Sequence, residues 1–471
     1  MPLSGPFFAQ NSNNSFILGA NLMLPISYRD KKICIIGLGY VGLTLAVAMA
    51  DAGFRVHGVE TNPEILKCLS EGRAHFSEVG LNERLALQLQ NGRFTFAPKV
   101  MPDEETTVYV VTVGTPLNAH KRTNYESFKT VMTAISTVIQ EGDMVVLRST
   151  VRVGVTTEFA KPVLDATGKW YDLAFCPERT LEGKALAELS TLPQVVGGIN
   201  DRSTFRASQL FSFLTPSIVR VQNAETAEMV KLINNTQRDM IFAFANEVAE
   251  MCDQLGISAK EVIASGNLGY PRANLPYPGP VGGPCLEKDP YILAEGLEHI
   301  GYKPEISLTG RHWNEGLPSR TVSRMANELR AKGAPGNLKI SILGAAFKGR
   351  PETDDLRGSL VIQIITELKE AFPQAQLSGW DPIVTSENLQ SLGITPYETA
   401  EGAFEGASLV IMQNNHPALE RLKLGKLSEL MSKPGLIFDY WHQHDLRVNA
   451  ELADGVRYAP LGAFNAKTEI A

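Results

Sequence analysis

The chain has 471 residues with 44 basic and 51 acidic side chains, a formal net charge of −7, and 44% hydrophobic residues. This is the profile of a globular chain of several domains, and it speaks against intrinsic disorder and against nucleic acid as a partner. No apolar run reaches the ~18 residues of a spanning helix, so no membrane insertion is expected, and five scattered cysteines without a C-x-x-C pair support neither a disulfide framework nor a zinc site.

Residues 1–30 read as a flexible leader, uncharged as far as Ser27 and without the basic start and apolar core of a signal peptide. A cytoplasmic location is expected. From 31 to 222 short β-branched runs alternate with helical patterns. Strands are expected at Lys32 to Ile36, Arg55 to Glu60, Thr107 to Val113, Asp143 to Arg148 and Tyr171 to Cys176, the signature of βαβ units and a parallel sheet. Ala224 to Leu255 contains neither Gly nor Pro and predicts one long helix, opening a helical segment over 223–330. Glu228, Lys231, Asn235, Asp239 and Asn246 share one stripe of it, which is either a solvated face or a polar face presenting Lys231 and Asn235 to a cleft. A second α/β stretch fills 331–471, with strands near Lys339, Gln376, Ser408 and Leu436. The expected fold is α/β: two Rossmann-like domains joined by a long central helix and a helical segment.

Gly37-Leu38-Gly39-Tyr40-Val41-Gly42 follows an apolar strand and opens a helix. Gly37 permits a tight turn, Gly39 lets a pyrophosphate approach the backbone, and Gly42 lets helix and strand pack. Glu60, 18 residues beyond Gly42, stands where a carboxylate binds the adenosine ribose and repels a 2′-phosphate, so NAD is the expected cofactor. Thr115 and Ser149-Thr150 follow strands whose ends face the ligand crevice of such a sheet, or simply begin loops. Gly282-Gly283-Pro284-Cys285-Leu286-Glu287-Lys288-Asp289 brings the backbone close to something and sets a cysteine at the mouth of a helix. There the dipole would favour a thiolate, the alternative being a small buried hydrophobe. Cys34, Cys68, Cys176 and Cys252 read as packing residues. His442 and His444 read as surface loop, and no metal is expected. In the second α/β stretch Leu343-Gly344-Ala345-Ala346 lacks the glycines of a second dinucleotide site.

These motifs in this order resemble the UDP-glucose/GDP-mannose 6-dehydrogenase family over about residues 31–460. The matches are Gly37 to Leu43, V-G-T-P at Val113, S-T-V at Ser149, A-E-x-x-K-x-x-x-N at Ala227 to Asn235, Asn246, G-G-x-C-x-x-x-D at Gly282 to Asp289, and L-G-A-A-F-K with D-D-L-R at Leu343 to Arg357. Cys176 to Arg179, Pro193 to Gly198 and Pro271-Arg272 are most similar to the branch oxidising UDP-N-acetylhexosamines, UDP-N-acetyl-D-mannosamine in particular. The resemblance implies two oxidations of a C6 alcohol by NAD, to a uronate used in surface polysaccharide. It implies that Cys285 captures the intermediate aldehyde and that Lys231 and Asn235 stabilise the oxyanion. Glu178, Asp289 and Thr150 would serve proton transfer and hydrolysis. Arg179, Gly282 and Arg272 would bind the UDP-sugar, Arg272 across a dimer interface, while Lys348 and Arg357 would reach sugar and cofactor from the second α/β domain. Two departures stand out. Eight residues separate Lys348 from Arg357, two more than is common in the family, and Arg152 replaces the usual proline after S-T-V. The same chemistry on UDP-glucose, UDP-N-acetylglucosamine or UDP-N-acetylgalactosamine, a single-hydride hydroxyacid dehydrogenase, and a non-catalytic nucleotide-sugar sensor are the rival readings.

Overall fold

The computed structural model describes residues 24, 25 and 27–466; most of the expected leader lies outside them. β1 (Lys32–Ile36) is apolar from Ile33 onward and there is buried on both faces, as a central parallel strand must be. Around it lie β2 (Arg55–Val59), β3 (Phe94–Ala97), β4 (Val108–Val111), β5 (Met144–Leu147), β6 (Asp172–Phe175), β7 (Gln194–Gly198) and β8 (Ile218–Arg220), in the order β3-β2-β1-β4-β5-β6-β7-β8. All neighbours pair in parallel except β6 with β7. Strand order reverses between β1 and β4, which opens a crevice at their carboxyl ends.

The second sheet repeats this order with β9 (Lys339–Leu343), β10 (Gln376–Trp380), β11 (Thr395–Pro396), β12 (Ala407–Met412), β13 (Gly435–Asp439) and β14 (Val456–Pro460), all parallel and arranged β11-β10-β9-β12-β13-β14. Its first turn is unlike that after β1. Gly344 lies against the Asn414 side chain, Asp381 accepts the Ala345 N–H, and the next helix begins only at Val361. No helix N-terminus therefore follows directly on the strand.

Between the sheets runs one helix, Ala224–Leu255, with the bounds its composition predicts. The Asn223 side chain accepts the Thr226 N–H at its start, and Gly256 at φ +69° ends it. The question about its polar stripe is answered: Glu228, Lys231, Asp239 and Asn246 are all buried, Asn235 is half-buried, and Ile233, Phe244, Met251 and Leu255 face outward. Helices Asp289–Leu297 and Glu305–Glu315 pack on the buried side.

Two expectations are corrected. The leader was to run to residue 30, yet Tyr28 packs on Phe54 and Phe213, and Asp30 is buried in an ion pair with Arg206. His442 is buried rather than on a surface loop, and burial pushes its pKa down to about 4. Among the described residues no helix is long and apolar enough to cross a membrane.

Candidate active site

The turn after β1 explains its three glycines separately. Gly37 has φ +92°, and a Cβ there would press on Val113. A Cβ on Gly42 would lie 1.8 Å from the Gly37 carbonyl oxygen, so this position admits only hydrogen if helix and strand are to touch. Gly39 is different: no protein atom lies within 4 Å of where its Cβ would be, and no side chain caps the helix Tyr40–Asp51 that begins beside it. Open space against the backbone at an uncapped helix N-terminus suits a pyrophosphate. Glu60 stands at the end of β2, its carboxylate accepting the N–H groups of Leu38, Thr61 and Asn62 at 2.8–2.9 Å. The residues present therefore fit a dinucleotide with free ribose hydroxyls. Tyr40 contributes backbone rather than ring to this turn, because its hydroxyl is taken by Glu78 and the Gly183 N–H. Thr115 Oγ1 donates to the Thr150 carbonyl at 2.5 Å and ties together the loops after β4 and β5.

The loop 177–183 joins all the parts. Lys231 Nζ donates to the Glu178 carbonyl at 2.5 Å, and Lys348 Nζ donates to the Glu182 carbonyl at 2.6 Å. The Glu178 carboxylate is already engaged by Arg148 and by the N–H groups of Arg179 and Thr180. Burial would raise its pKa, but Arg148, these N–H groups and Lys231 outweigh burial and hold it below the usual carboxylate range. A carboxylate so held stays charged at neutral pH. Glu182, which sequence reasoning passed over, has the opposite character. Burial, then the neighbouring Asp355, push its pKa upward.

Cys285 is half-buried in a turn over 284–288, and the helix Asp289–Leu297 begins only after it. It is thus not at a helix mouth as expected; its carbonyl instead accepts the N–H groups of Lys288 and Asp289. Asp289 is fully buried and accepts Asn235 Nδ2 at 2.6 Å, with Lys288 Nζ at 3.3 Å. Through Asn235, one turn from Lys231, the cysteine turn is fastened to the polar face of the central helix. Gly282 turns out to face protein: its Cβ would lie 2.1 Å from the Gly358 carbonyl oxygen, so it seats the turn against the second α/β unit.

Arg357 is exposed and paired in two-pronged fashion with its own Asp355. Its charge also acts on Glu182, Cys285 and His75, and His75 in turn feels Glu60. Arg357 therefore lies electrostatically between the β2 end and the cysteine. The segment between Lys348 and Arg357 is braced: Gly349 lies on His416, Arg350 pairs with Glu420, and Pro351 packs on Gly183. A cavity of about 610 Å³, lined by Asn62, Arg73, His75, Phe76, Asn82 and Asp354, adjoins this region. Arg179 donates to the Pro193 carbonyl. Arg272 stands apart, exposed, stacked on Tyr270 at 4.6 Å.

Comparison with known proteins agrees with this layout. The UDP-glucose/GDP-mannose dehydrogenase family matches as NAD binding domain over 31–215, central domain over 225–316 and UDP binding domain over 341–445. The chain belongs to this family. It is 30% identical over 412 residues to a UDP-N-acetyl-D-mannosamine dehydrogenase of Methanococcus maripaludis, covering 86% of this chain and 91% of that one. Its fold superposes on the UDP-D-ManNAc dehydrogenase of Pyrococcus horikoshii with a TM-score of 0.83 at 27% identity, covering 92% of this chain and all of the other. A UDP-glucose dehydrogenase of Pyrobaculum islandicum gives 0.80 at 25% identity, over 93% and 98% of the two chains. The protein is an NAD-dependent nucleotide-sugar dehydrogenase, and its family reaction is four-electron oxidation of a UDP-hexose or UDP-hexosamine to the uronic acid.

Proposed function

We propose that the substrate is a UDP-N-acetylhexosamine, UDP-N-acetyl-D-mannosamine first among them, and that Cys285 is the nucleophile. In this reading residues 31–222 hold NAD, 223–330 carry the catalytic helix and the dimer contact, and 331–471 hold the UDP moiety. The observation that carries it is the Asn235–Asp289 bond, which fastens the Cys285 turn to the helix face bearing Lys231.

The bound nicotinamide supplies the hydride acceptor for both oxidations. The C6 alcohol loses a proton and a hydride to become an aldehyde. The Cys285 thiol adds to the aldehyde carbon, and its proton ends on the new hydroxyl, giving a thiohemiacetal. Loss of a second hydride and a proton leaves a thioester. Water then cleaves the C–S bond, yielding carboxylate, a proton and free thiol. Lys231 and Asn235 donate to the oxygen on the tetrahedral carbon; removal of one such donor costs on the order of 10²–10³ in rate. Asp289 orients Asn235, and Thr150 and Asp289 hold the attacking water. Glu178 serves proton transfer, and its carbonyl anchors Lys231. Lys348 and Arg179 serve the sugar, and Arg357 leaves Asp355 to meet an anionic group of cofactor or substrate.

Arg272 lies on Tyr270, its Nε donating to the Tyr270 hydroxyl at 3.1 Å. The outward apolar residues Ile233, Phe244, Met251 and Leu255, continued by Leu268 and Tyr270, form a face for a second copy, which brings Arg272 to the partner's substrate. UDP-glucose is the second reading, favoured by the Pyrobaculum likeness. A panel of UDP-sugars followed by NADH absorbance decides between them. UDP-N-acetyl-D-mannosamine should give the highest kcat/KM with two NADH per sugar; a preference for UDP-glucose would overturn the substrate assignment.

A further inference from the structure

A nucleophile has to be held within about half an ångström of its productive position, yet Cys285 lies in a stretch, 279–288, that contains neither helix nor strand. We infer that Arg311, through a buried network on the central helix, is the positioning residue that fixes the Cys285 loop. The inference rests on Cys285 being the nucleophile.

Arg311 lies on the helix Glu305–Glu315 and is fully buried. Its Nη1 donates to the Leu286 carbonyl at 3.0 Å and to Asp239 Oδ1 at 2.8 Å, and its Nη2 points to the Val281 carbonyl at 3.4 Å. The two carbonyls bracket Cys285, one before it and one directly after. Asp239 stands one turn beyond Asn235 on the face that carries Lys231. The loop holding the thiol and the donors for its oxyanion are therefore referenced to one rigid helix.

The rest of the network extends the grip. Asn314 Nδ2 donates to both the carbonyl and the carboxylate of Asp239 at 2.9 Å. Asn246 Nδ2 donates to Asn314 Oδ1 at 3.0 Å, and Asn246 binds both backbone groups of Gly279 at 2.9 and 3.1 Å. On its other side the loop meets the second α/β unit, Gly279 against Trp441, Gly282 against Gly358 and Gly283 against Phe347. Burying a guanidinium costs desolvation that an apolar residue would avoid. What the arginine provides is a planar fork reaching two carbonyls and a carboxylate together, and an ammonium is a point charge that cannot do so.

The test is Arg311→Lys, assayed with NAD and the UDP-sugar that the wild-type enzyme oxidises, in the presence of hydroxylamine to trap free aldehyde. Misplacing the thiol by about 1 Å costs on the order of a hundredfold in the step that needs it. The variant should keep its first oxidation and its KM within about threefold, while uronate formation falls on the order of tenfold to a hundredfold and trapped aldehyde appears. Equal loss of both oxidations, or no loss of either, would overturn the proposal. Cys285→Ser is run alongside. If it still forms uronate, the nucleophile assignment fails whatever Arg311→Lys does; if it does not and Arg311→Lys behaves as wild type, only the Arg311 role fails. Should Arg311→Lys not fold by circular dichroism, Asp239→Asn keeps the side-chain shape and should give the same split more weakly. An unsplit result there also overturns the proposal.

Discussion

Cys176 and Cys285, the proposed nucleophile, differ in their surroundings. Cys176 directly follows β6 in a fully buried setting, and burial pushes its pKa up to about 12, while Cys285 is partly exposed in a turn tied to Asn235 through Asp289. The three glycines after β1 make an equally sharp contrast. Gly42→Ala should lower the melting temperature, because overpacking costs about 1–3 kcal/mol and here the clash is with backbone. Gly39→Ala should melt like wild type and raise KM for NAD by about tenfold or more, since its Cβ enters only the space assigned to the pyrophosphate. Calorimetry beside NAD kinetics checks both; a Gly39→Ala enzyme with unchanged KM would contradict that assignment. These residue types were legible from the hexapeptide and its spacing to Glu60. Glu182 was not, because its raised pKa comes from burial in the folded chain and then from Asp355, 173 positions away.

At the scale of elements, the central helix works as a ruler for three loops. Glu228, one turn before Lys231, accepts the N–H groups of Gly154 and Thr156 and the Thr156 hydroxyl at 2.6–2.9 Å, clamping the loop that follows Thr150. Burial raises its pKa from 4.5 to about 7. Between those values the unfolded chain releases this proton before the folded one, so the residue's contribution to stability declines as pH rises through that window and levels off above it. Glu228→Gln removes the decline. The melting temperature of the variant minus that of wild type should rise from about pH 5 to about pH 7.5, and a difference that stays flat or falls would show that the carboxyl is not so perturbed. The sequence could delimit this helix to the residue, since freedom from Gly and Pro and a cap at each end are local properties. It could not tell whether the polar stripe was wet or buried, because that depends on helices Asp289–Leu297 and Glu305–Glu315 folding back over it. The helix mouth expected at Cys285 lies one turn further on: Arg311 takes the carbonyls of Val281 and Leu286, and the helix starts at Asp289.

Over the whole molecule, both Rossmann-like sheets were legible from β-branched runs, while β3, β7, β8, β11 and β14 were not, being short or lying at or near a sheet edge. The proposed dimer rests on what the central helix leaves uncovered. Phe244→Asp on the outward apolar face should convert a dimer to monomers in sedimentation velocity and lower activity together with it, because Arg272 then loses the partner's site. A variant that sediments as wild type would contradict this use of the face. The account as a whole depends on one sulfur taking the aldehyde, and it is tested most directly by counting products per sugar consumed in Cys285→Ser and Cys176→Ser. Cys176→Ser should still yield two NADH and one uronate, whereas Cys285→Ser should yield no uronate and at most one NADH. Uronate formed by the Cys285→Ser enzyme, or equal loss in both variants, would contradict it.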